Sequence, residues 1–469
     1  MSRPYDAVII GSGQGGGPLA QALATAGWRV ALVERLHVGG TCVNEGCTPT
    51  KTMVASARVA YLARRAADYG VRTGDVSVDL KTVRERKRSI VTSFRDGSQR
   101  RLESTANLDL IFGEGSFASA GEIAVELPDG TTTRLEAKRV IVNTGGRPAR
   151  IELPGIDQVR VLDSTSVMEL GELPSHLVVL GGGYIGLEFG QMFRRFGSEV
   201  TIIQRSARLL GREDLDIADA VAEILRQDGI RVLLETEAES IAPRGDGFAL
   251  RVRTREGSAE VVGSHLLGAI GRKPNVEALK LENAGIATSK DGHITVNDRL
   301  ETNVPGIYAI GDVKGGPAFT HISYDDFRVL RRNLLEGGSA SIGDRLVPYV
   351  VYIDPQLGRI GLSEEDARQR DLKVQVAKMP MSWVARALET DESRGFLKAI
   401  VDPETGLILG AAALGLEGGE IMSILQTAMM AGLPYTALRD AVWAHPSLAE
   451  GLNNLFANLE ASPRPDPKR

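Results

Sequence analysis

The sequence of 469 residues contains only two cysteines, Cys42 and Cys47, and they lie five positions apart. A lone close pair in a chain of this size is more typical of a catalytic or metal-binding role in a reducing compartment than of a structural disulfide. No apolar run is long enough to span a bilayer, and the N-terminus lacks the basic, apolar and small-residue segments of a signal peptide. We therefore expect a cytoplasmic protein.

Charge of either sign is in no large excess, because the net charge is −5. This leaves no electrostatic basis for binding nucleic acid or an anionic membrane. Glycine, by contrast, is abundant, with 53 residues, which suits tight turns and nucleotide-binding loops. The length is too great for one ordinary core, so about two to four domains are expected.

A first group of glycines directly follows an apolar segment at residues 5–10, which predicts a short buried strand. Gly11, Gly13 and Gly16 have G-x-G-x-x-G spacing, and after them come a helical pattern and a second strand that ends at Glu34. In such a unit the first glycine permits a turn, the second lets the backbone approach a pyrophosphate, and the third packs helix on strand. Glu34 would accept hydrogen bonds from a ribose, so the segment predicts a dinucleotide site.

The same pattern returns at residues 177–204, where Gly181, Gly183 and Gly186 lie between a strand and a helix. In both copies, 23 positions separate the first glycine from the residue at the end of the second strand. Two complete units with one spacing predict two dinucleotides, one in each of two domains.

The two copies differ at the end of their second strand, where Gln204 takes the place of Glu34. Three arginines follow, Arg205, Arg208 and Arg212. A carboxylate here would hold a ribose 2′-hydroxyl and repel a 2′-phosphate, so its loss beside arginines favours NADPH. NADH stays possible, because the arginines could equally form a solvated basic face after the strand.

The cysteine pair lies in the segment GGTCVNEGCTPTK, residues 39–51. In a regular helix, Cα atoms five positions apart would be separated by roughly 8–9 Å, whereas a disulfide needs less than about 7 Å. A bond between Cys42 and Cys47 therefore requires a loop or a distorted helix start, which Gly46 and Pro49 can provide. A helix is predicted from about residue 50.

The field of that helix N-terminus and the charge of Lys51 would lower the pKa of a nearby thiol. Because the segment follows directly on the first nucleotide unit, two activated thiols would lie beside whatever that unit binds. The alternatives are a pair of inert buried cysteines or half of a metal site. The neighbouring sequence offers only His37 as a further ligand, so a redox-active disulfide is favoured and no metal site is predicted.

The cysteine segment resembles the G-G-T-C-x-x-x-x-G-C-x-P-[ST]-K signature of the class I pyridine nucleotide–disulfide oxidoreductases, the family of glutathione reductase, dihydrolipoamide dehydrogenase and mercuric reductase. Other segments resemble further motifs of this family, namely VIVNTGGRP (140–148), LLGAIGRKPN (266–275), NVPGIYAIGDV (303–313) and AHPSLAEGL (444–452). The segments 319–330 and 432–456 are most similar to a mercuric-reductase-like branch, whose members include the bacterial reactive-chlorine-resistance flavoprotein, a copper(II) reductase.

The resemblance implies an α/β fold with two Rossmann-like dinucleotide-binding domains, for FAD and for NAD(P), and an α+β C-terminal dimerisation domain. The expected division is 1–149 for the first part of the FAD domain, 150–275 for the NAD(P) domain, 276–345 for the rest of the FAD side and 346–469 for the dimerisation domain. The tail from about residue 461 is rich in proline and charge and is expected to be disordered.

The resemblance assigns FAD to the first unit and NADPH, or alternatively NADH, to the second. The residues expected to contact FAD are Gly11, Gly13, Gly16, Glu34, Thr41, Gly115, Thr144, Gly145, Asp312, Phe319 and His321. Those expected to contact NADPH are Gly181, Gly183, Tyr184, Gly186, Gln204, Arg205, Arg208 and Gly271. Tyr184 matches a residue that gates the nicotinamide pocket in some relatives, although a packing role is the alternative.

Catalytic roles also follow from the resemblance. Cys47 would be the thiol that faces the flavin, and Cys42 would be the interchange thiol that faces the substrate. Lys51 would lie near the flavin and pair with Glu188.

His445 and Glu450 have the family's spacing for a base and its orienting carboxylate. Thiol–disulfide exchange needs a group that exchanges protons near neutral pH, which suits a histidine. In the family this histidine reaches the cysteine pair of the other subunit, so the resemblance implies a homodimer. Taken alone, His445 would be interpreted as a histidine packed at an interface.

The electron acceptor stays open between two classes of molecule. The chain has no third cysteine, so it lacks the additional C-terminal pair of classical mercuric reductases, and the acceptor must reach Cys42 directly. A small disulfide meets this requirement, and so does a soft metal ion such as Cu(II) or Hg(II). The presence of His445 with Glu450 favours the disulfide, whereas the resemblance to the mercuric-reductase-like branch favours a metal ion, in metal or oxidant defence. A redox sensor or complex component that uses the same disulfide as a switch is the alternative from another class.

Overall fold

The structure, a computed structural model, describes residues 4–461 of the chain. The end of the C-terminal tail, which the sequence predicts to be disordered, lies outside the described residues.

The first third of the chain contains the first β-α-β unit, three more helices and a series of short strands. Its elements are β1 Ala7–Ile10, α1 Gly16–Thr25, β2 Val30–Glu34, α2 Gly40–Asn44, α3 Cys47–Arg64, α4 Leu80–Glu103, β3 Leu108–Phe112, β4 Glu114–Ser119, β5 Glu122–Glu126, β6 Thr132–Glu136, β7 Val140–Val142 and β8 Gly146–Pro148.

The middle of the chain contains the second β-α-β unit. Its elements are β9 Val161–Leu162, β10 His176–Leu180, α5 Tyr184–Phe196, β11 Glu199–Ile203, α6 Leu215–Gln227, β12 Arg231–Leu233, β13 Glu237–Arg244, β14 Gly247–Thr254, β15 Gly257–Gly263, β16 His265–Gly268 and β17 Arg272–Pro274.

The last third begins with one more strand of the first sheet and continues into a separate sheet with its own helices. Its elements are β18 Ile307–Ala309, α7 Thr320–Leu335, β19 Tyr349–Val351, β20 Gln356–Gly361, α8 Glu364–Gln369, β21 Gln375–Pro380, α9 Ala385–Glu389, β22 Phe396–Val401, β23 Ile408–Gly415, α10 Gly418–Met430, α11 Tyr435–Arg439 and α12 Gly451–Ala461.

Two parallel sheets hold the two glycine loops. The first has the strand order β18-β7-β1-β2-β3, and the second has the order β12-β11-β10-β16-β9. In each sheet the strand before the glycine loop is central, pairs in parallel on both sides and is almost wholly buried. Such continuous apolar strands are typical of parallel sheets that are covered on both faces. Each loop therefore opens at the carboxyl edge of its sheet, where ligands bind in folds of this kind.

The remaining strands pair antiparallel in separate sheets. β8 and β17 form a two-stranded ribbon at the points where the chain leaves the first sheet and returns to it. Three-stranded antiparallel sheets, β4-β5-β6 and β13-β14-β15, accompany the parallel sheets. The C-terminal sheet has the order β19-β20-β23-β22-β21, and α10 and α12 pack against it around one apolar core. The predicted architecture of two α/β units and an α+β C-terminal unit is confirmed, whereas the exact domain boundaries stay predictions.

The helix after the cysteine pair begins earlier than the sequence analysis predicts. It was expected from about residue 50, but α3 begins at Cys47, and a separate short helix, α2, carries Cys42. Pro49 is the third residue of α3 and so lies within its first turn. All N–H groups of a first turn lack an intrahelical acceptor, so proline is tolerated throughout that turn.

No helix among residues 4–461 is both long enough and apolar enough to cross a membrane.

Candidate active site

A cavity of about 1360 Å³ contains both cysteines and most of the residues predicted to contact FAD. Those that line it are Gly11, Gly13, Glu34, Thr41, Gly115, Thr144, Gly145, Asp312, Phe319 and His321. Lys51, Tyr184 and Glu188 line the same cavity. Gly16 lies outside its lining, at the first position of α1, where it is buried. The fold therefore brings together residues from all three thirds of the chain.

The two glycine loops share one backbone geometry. Gly11 and Gly181 have positive φ angles of 101° and 116°, and a Cβ on either would lie 2.4 Å or 2.3 Å from a backbone oxygen at the end of a neighbouring strand. A Cβ on Gly16 or Gly186 would lie 2.1 Å or 2.2 Å from the carbonyl oxygen of the first glycine of its own loop. Only glycine fits these positions, as the close helix–strand packing of a dinucleotide loop requires.

The second loop is open where a ligand would approach it. A Cβ on Gly183 or Gly271 would meet no atom within 4 Å. Tyr184, the first residue of α5, is directly beside this open space. The N-terminus of a helix of 13 residues therefore meets free volume, which suits a pyrophosphate.

The residues at the ends of the second strands occupy equivalent places but carry different charges. Glu34 accepts hydrogen bonds from the backbone N–H of Ser12 at 3.0 Å and from its hydroxyl at 2.6 Å. Gln204 accepts a hydrogen bond from the N–H of Gly182 at 2.9 Å. The side-chain amide of Gln204 thus forms the same hydrogen bond between the strand end and the glycine loop that Glu34 forms, but without a negative charge.

The arginines that follow Gln204 are not equivalent to one another. Arg205 is exposed next to the loop. Arg208 forms an ion pair with Glu365 of α8, with 3.0 Å between Nη2 and Oε2. The guanidinium of Arg208, which the sequence predicts to contact a 2′-phosphate, is therefore paired with a carboxylate of the C-terminal part of the chain.

The cysteine pair is brought together by a break between two helices. Cys42 lies in α2 and Cys47 is the first residue of α3, while Gly46 lies between them with a non-helical backbone, φ −124° and ψ −116°. A Cβ on Gly46 would lie 2.9 Å from the backbone oxygen of Thr41. Both thiols are free, and they are close enough to share a hydrogen bond. The break therefore removes the separation that a continuous helix would impose.

The two thiols differ strongly in acidity. The hydrogen bond from Cys42 lowers the pKa of Cys47 to about 6, against the opposing effect of burial. The Thr320 hydroxyl, whose Oγ1 is 3.2 Å from Cys47 Sγ, and the ammonium of Lys51 lower this pKa further. The same hydrogen bond, together with burial, raises the pKa of Cys42. At neutral pH the reduced pair therefore consists of a Cys47 thiolate and a Cys42 thiol.

Lys51 and Glu188 form the predicted ion pair, with 2.6 Å between Nζ and Oε2. Burial disfavours the ammonium of Lys51, but the charge and hydrogen bond of Glu188 outweigh it and raise the pKa of Lys51. The backbone N–H of Tyr352 donates to the other carboxylate oxygen of Glu188 at 2.9 Å. A fixed positive charge is thus held beside Cys47.

A stack of aromatic rings lines the cavity beside the thiols. The ring of Phe319 is nearly parallel to the ring of His321 and to the ring of Tyr349, and 5.4 Å separates the ring centroids in each pair. Tyr184 is tilted toward Phe319 at 6.0 Å. His321 Nε2 is 2.7 Å from the carbonyl oxygen of Pro348, and burial lowers the pKa of His321. The histidine is therefore neutral at neutral pH and donates its Nε2–H to that carbonyl.

Asp312 is an acidic residue that lines the same cavity. Burial raises its pKa, and Arg272 Nε lies 3.9 Å from its carboxylate. Thr144 donates its hydroxyl to the backbone oxygen of Asn275 at 2.7 Å, which fixes the segment next to Gly145. These groups offer a polar surface for a hydroxylated chain such as a ribityl group.

His445 and Glu450 form the predicted pair but lie outside this cavity. His445 Nδ1 is 2.9 Å from Glu450 Oε2, and the histidine side chain is 71% exposed. Neither residue lines the cavity that holds the cysteines of the same chain. The carboxylate of Glu450 thus orients the exposed ring through Nδ1.

Among the described residues, one group of three acidic side chains has ligand atoms close enough to hold a metal ion, Asp214, Asp216 and Glu364. The ammonium of Lys398 lies among them, 2.9 Å from Asp214 and 2.9 Å from Asp216, and also pairs with Glu364. The lysine supplies the positive charge of this cluster.

The comparisons with known proteins agree with this geometry. Residues 5–326 match the family model described as "Pyridine nucleotide-disulphide oxidoreductase", and residues 347–456 match the dimerisation domain of that family. The chain belongs to the pyridine nucleotide–disulphide oxidoreductase family.

Several relatives match over almost the whole chain. The "Probable pyridine nucleotide-disulfide oxidoreductase RclA" of Escherichia coli is 41% identical over 97% of this chain and 99% of the relative. A mercuric reductase of Staphylococcus aureus is 34% identical over 96% of this chain and 81% of the relative. A solved structure, described as "Cu(II) complex of HOCl-induced flavoprotein disulfide reductase RclA from Escherichia coli", has a TM-score of 0.89, 40% identity and coverage of 97% and 100%.

The protein is therefore an oxidoreductase that uses FAD and NAD(P)H, as the sequence analysis expects. Its own residues fit these groups, because the cavity runs from the first glycine loop and Glu34 to the thiol pair, and the second loop is open at Gly183.

Three residues of the site are not among those that the sequence predicts. Thr320 contacts Cys47, Tyr352 contacts the Lys51–Glu188 pair, and Tyr349 stacks on Phe319. Thr320 lies between two predicted residues, Phe319 and His321, so its neighbours could have indicated it. The two tyrosines lie in no recognised motif.

Proposed function

We propose that the protein uses NADPH and FAD to reduce a Cys42–Cys47 disulfide, and that the resulting dithiol reduces a small disulfide. The observation that carries this proposal is the unequal thiol pair inside the dinucleotide cavity. A thiolate at Cys47 is stabilised by Cys42, Thr320 and Lys51, while Cys42 keeps its proton. Such a pair is suited to store two electrons and to attack a disulfide in two steps.

The cofactor assignments rest on the lining of the cavity and on the second loop. The first loop, Glu34, Asp312 and the Phe319–His321 segment are proposed to hold FAD, while the second loop is proposed to hold the nicotinamide nucleotide. NADPH is favoured because Gln204 keeps the loop contact of Glu34 without its charge and Arg205 is exposed beside it. Arg208 would act at longer range, through its pair with Glu365.

Bound FAD supplies the step that takes a hydride from the nicotinamide and delivers two electrons to the disulfide. The chain's residues hold the product as a Cys47 thiolate and a Cys42 thiol. Cys42 Sγ, once deprotonated, attacks a sulfur of the substrate, and the substrate's S–S bond breaks as a mixed disulfide forms. Cys47 then attacks Cys42 Sγ, which restores the disulfide and releases the second thiol. One proton is consumed, and each disulfide yields two thiols.

The proton transfer to and from Cys42 is assigned to the partner subunit's His445, oriented by Glu450 of its own chain. Three observations support this: His445 is exposed, it is hydrogen-bonded to a carboxylate through Nδ1, and it lies outside its own chain's cavity. Residues 347–456 also match a dimerisation domain. We propose a homodimer in which each site needs both chains.

Mixed dimers test this arrangement. Chains with Cys42→Ser and chains with His445→Ala are expected to be inactive alone. A dimer of one of each retains one site with both groups intact, so mixing the two variants is expected to restore activity. If mixed dimers stay inactive although they form, His445 does not act on the partner's thiols.

A second candidate function is the reduction of a soft metal ion. The observation that favours it is the similarity to an RclA structure described as a Cu(II) complex and to mercuric reductases. Thiolates are natural ligands of soft ions, and one dithiol could reduce two Cu(II) ions to Cu(I) as its disulfide forms.

Anaerobic stopped-flow separates the two candidates. The protein is reduced with one equivalent of NADPH and mixed with small disulfides, with Cu(II) or with Hg(II), while the long-wavelength thiolate–flavin absorbance is followed. Rapid reoxidation by a disulfide, lost in His445→Ala and kept in the control His265→Ala, supports the first function. Reoxidation by a metal ion alone, independent of His445, would favour the second function.

A further inference from the structure

Tyr352 contacts both members of the Lys51–Glu188 pair, whose carboxylate is buried. Its backbone N–H donates to Glu188 Oε1 at 2.9 Å, and its ring lies 4.9 Å from Lys51 Nζ. Glu188 Oε2 is meanwhile 2.6 Å from the same ammonium. Tyr352 therefore holds the carboxylate with its backbone and faces the cation with its ring.

The three residues come from the three parts of the chain. Lys51 lies on α3, Glu188 lies on α5 of the second β-α-β unit, and Tyr352 directly follows β19 of the C-terminal sheet. Their contacts join these three units at one point beside Cys47. A change at Tyr352 would therefore be transmitted to the lysine.

The same three residues line two cavities. Lys51, Glu188 and Tyr352 belong to the cavity of about 1360 Å³ and also to a second cavity of about 250 Å³. Residues that line both cavities lie between them, so the lysine could be hydrated from two sides. Water on the second side would screen the charge of Lys51 and would compete for its ammonium.

We propose that Tyr352 is a positioning residue for the redox reaction: its ring keeps the Lys51 ammonium directed toward Cys47 and limits its hydration from the second cavity. A cation over an aromatic face is attracted by the ring quadrupole, and the attraction grows as the cation is desolvated. The phenol is not required in this role. Burial raises the pKa of Tyr352, so the hydroxyl is neutral at neutral pH.

The acidity of Cys47 reports the position of Lys51. The groups that act on the Cys47 thiol are Cys42, Thr320, Lys51 and Glu188. Of these, Lys51 and Glu188 contact Tyr352, so a substitution at Tyr352 is expected to alter the acidity of Cys47 through this pair. This inference rests on the same redox pair as the proposed function, but its test requires no electron acceptor.

The test compares variants of the FAD-loaded protein after anaerobic reduction. The thiolate–flavin absorbance is titrated with pH, and the pH dependence of Cys47 alkylation by iodoacetamide is measured separately by peptide mass spectrometry. Tyr352→Leu and Tyr352→Met remove the ring and are expected to raise both midpoints by about half a pH unit. Tyr352→Phe keeps the ring and is expected to leave both midpoints unchanged.

Tyr324→Leu is the matched control. Tyr324 is 39% exposed and Tyr352 is 36% exposed, and each ring lies 4.9 Å from a cation, which is Arg328 for Tyr324 and Lys51 for Tyr352. It is expected to leave the midpoints unchanged. Unchanged midpoints in both ring-deleting variants would overturn the proposal, and so would an equal shift in Tyr352→Phe. Because no acceptor is added, neither outcome depends on which molecule the protein reduces.

Discussion

Removal of the Thr320 hydroxyl is expected to make Cys47 less acidic. Thr320 Oγ1 lies 3.2 Å from Cys47 Sγ at the start of α7, and its hydrogen bond stabilises the thiolate. A hydrogen bond to a charged group contributes about 1.5–3 kcal/mol, and one pKa unit corresponds to about 1.4 kcal/mol. Cys47 is exposed to the cavity, so the lower end applies. Thr320→Ala should therefore raise the pKa of Cys47 from about 6 to about 7.

The pKa of Cys47 can be measured from the pH dependence of the thiolate–flavin absorbance in the reduced protein. Thr320→Ser keeps a hydroxyl at the same place and should retain the acidity of the original protein. Because the thiolate fraction near neutral pH falls as the pKa rises, Thr320→Ala should also show a weaker absorbance at pH 7. A midpoint that is the same in Thr320→Ala and in the original protein would refute the assigned hydrogen bond.

Three further changes have expected outcomes. Lys51→Met removes the cation that pairs with Glu188, whose side chain is only 3% exposed. This variant should lower the free energy of unfolding by about 3 kcal/mol in a denaturant titration. Unchanged stability would contradict the pairing. Gly181→Ala would place a Cβ 2.3 Å from a backbone oxygen, so it should abolish NADPH binding in calorimetry but retain FAD. Gly257 has a similar φ of 125°, and a Cβ there meets no close contact. The control Gly257→Ala should therefore bind NADPH normally. Gln204→Glu should lower the ratio of kcat/KM for NADPH to that for NADH by about tenfold or more, and an unchanged ratio would count against the 2′-phosphate assignment.

The fold could be predicted because its determinants are local. Gly11 and Gly181 occupy positions with positive φ next to a neighbouring strand, and each is followed by a helix and a second strand within a short segment. The spacing of these residues therefore carries the geometry of the loop. The pairing of Lys51 with Glu188 was also predicted, but only from the resemblance to a family, because the two residues are far apart in sequence.

The contacts that tune the thiols could not be predicted in the same way. Thr320 reaches Cys47, and Tyr352 reaches Lys51, only because separate sheets meet at the cavity. Thr320 at least lies between two predicted residues, Phe319 and His321, whereas Tyr352 lies in no recognised motif. In neither case does the neighbouring sequence specify the contact, because the contact depends on how the units pack. The ion pair of Arg208 with Glu365 was missed for the same reason.

Single turnovers with Cys42→Ser test the central claim most directly. NADPH should still reduce the flavin of this variant at close to the original rate. Turnover with every small disulfide should be lost, because the thiol that attacks the acceptor is absent and Cys47 alone cannot close the internal disulfide. Turnover that persists in Cys42→Ser would contradict the claim and would place the disulfide outside the path of the electrons. Original protein that is reduced by NADPH but turns over none of the disulfides would contradict it as well.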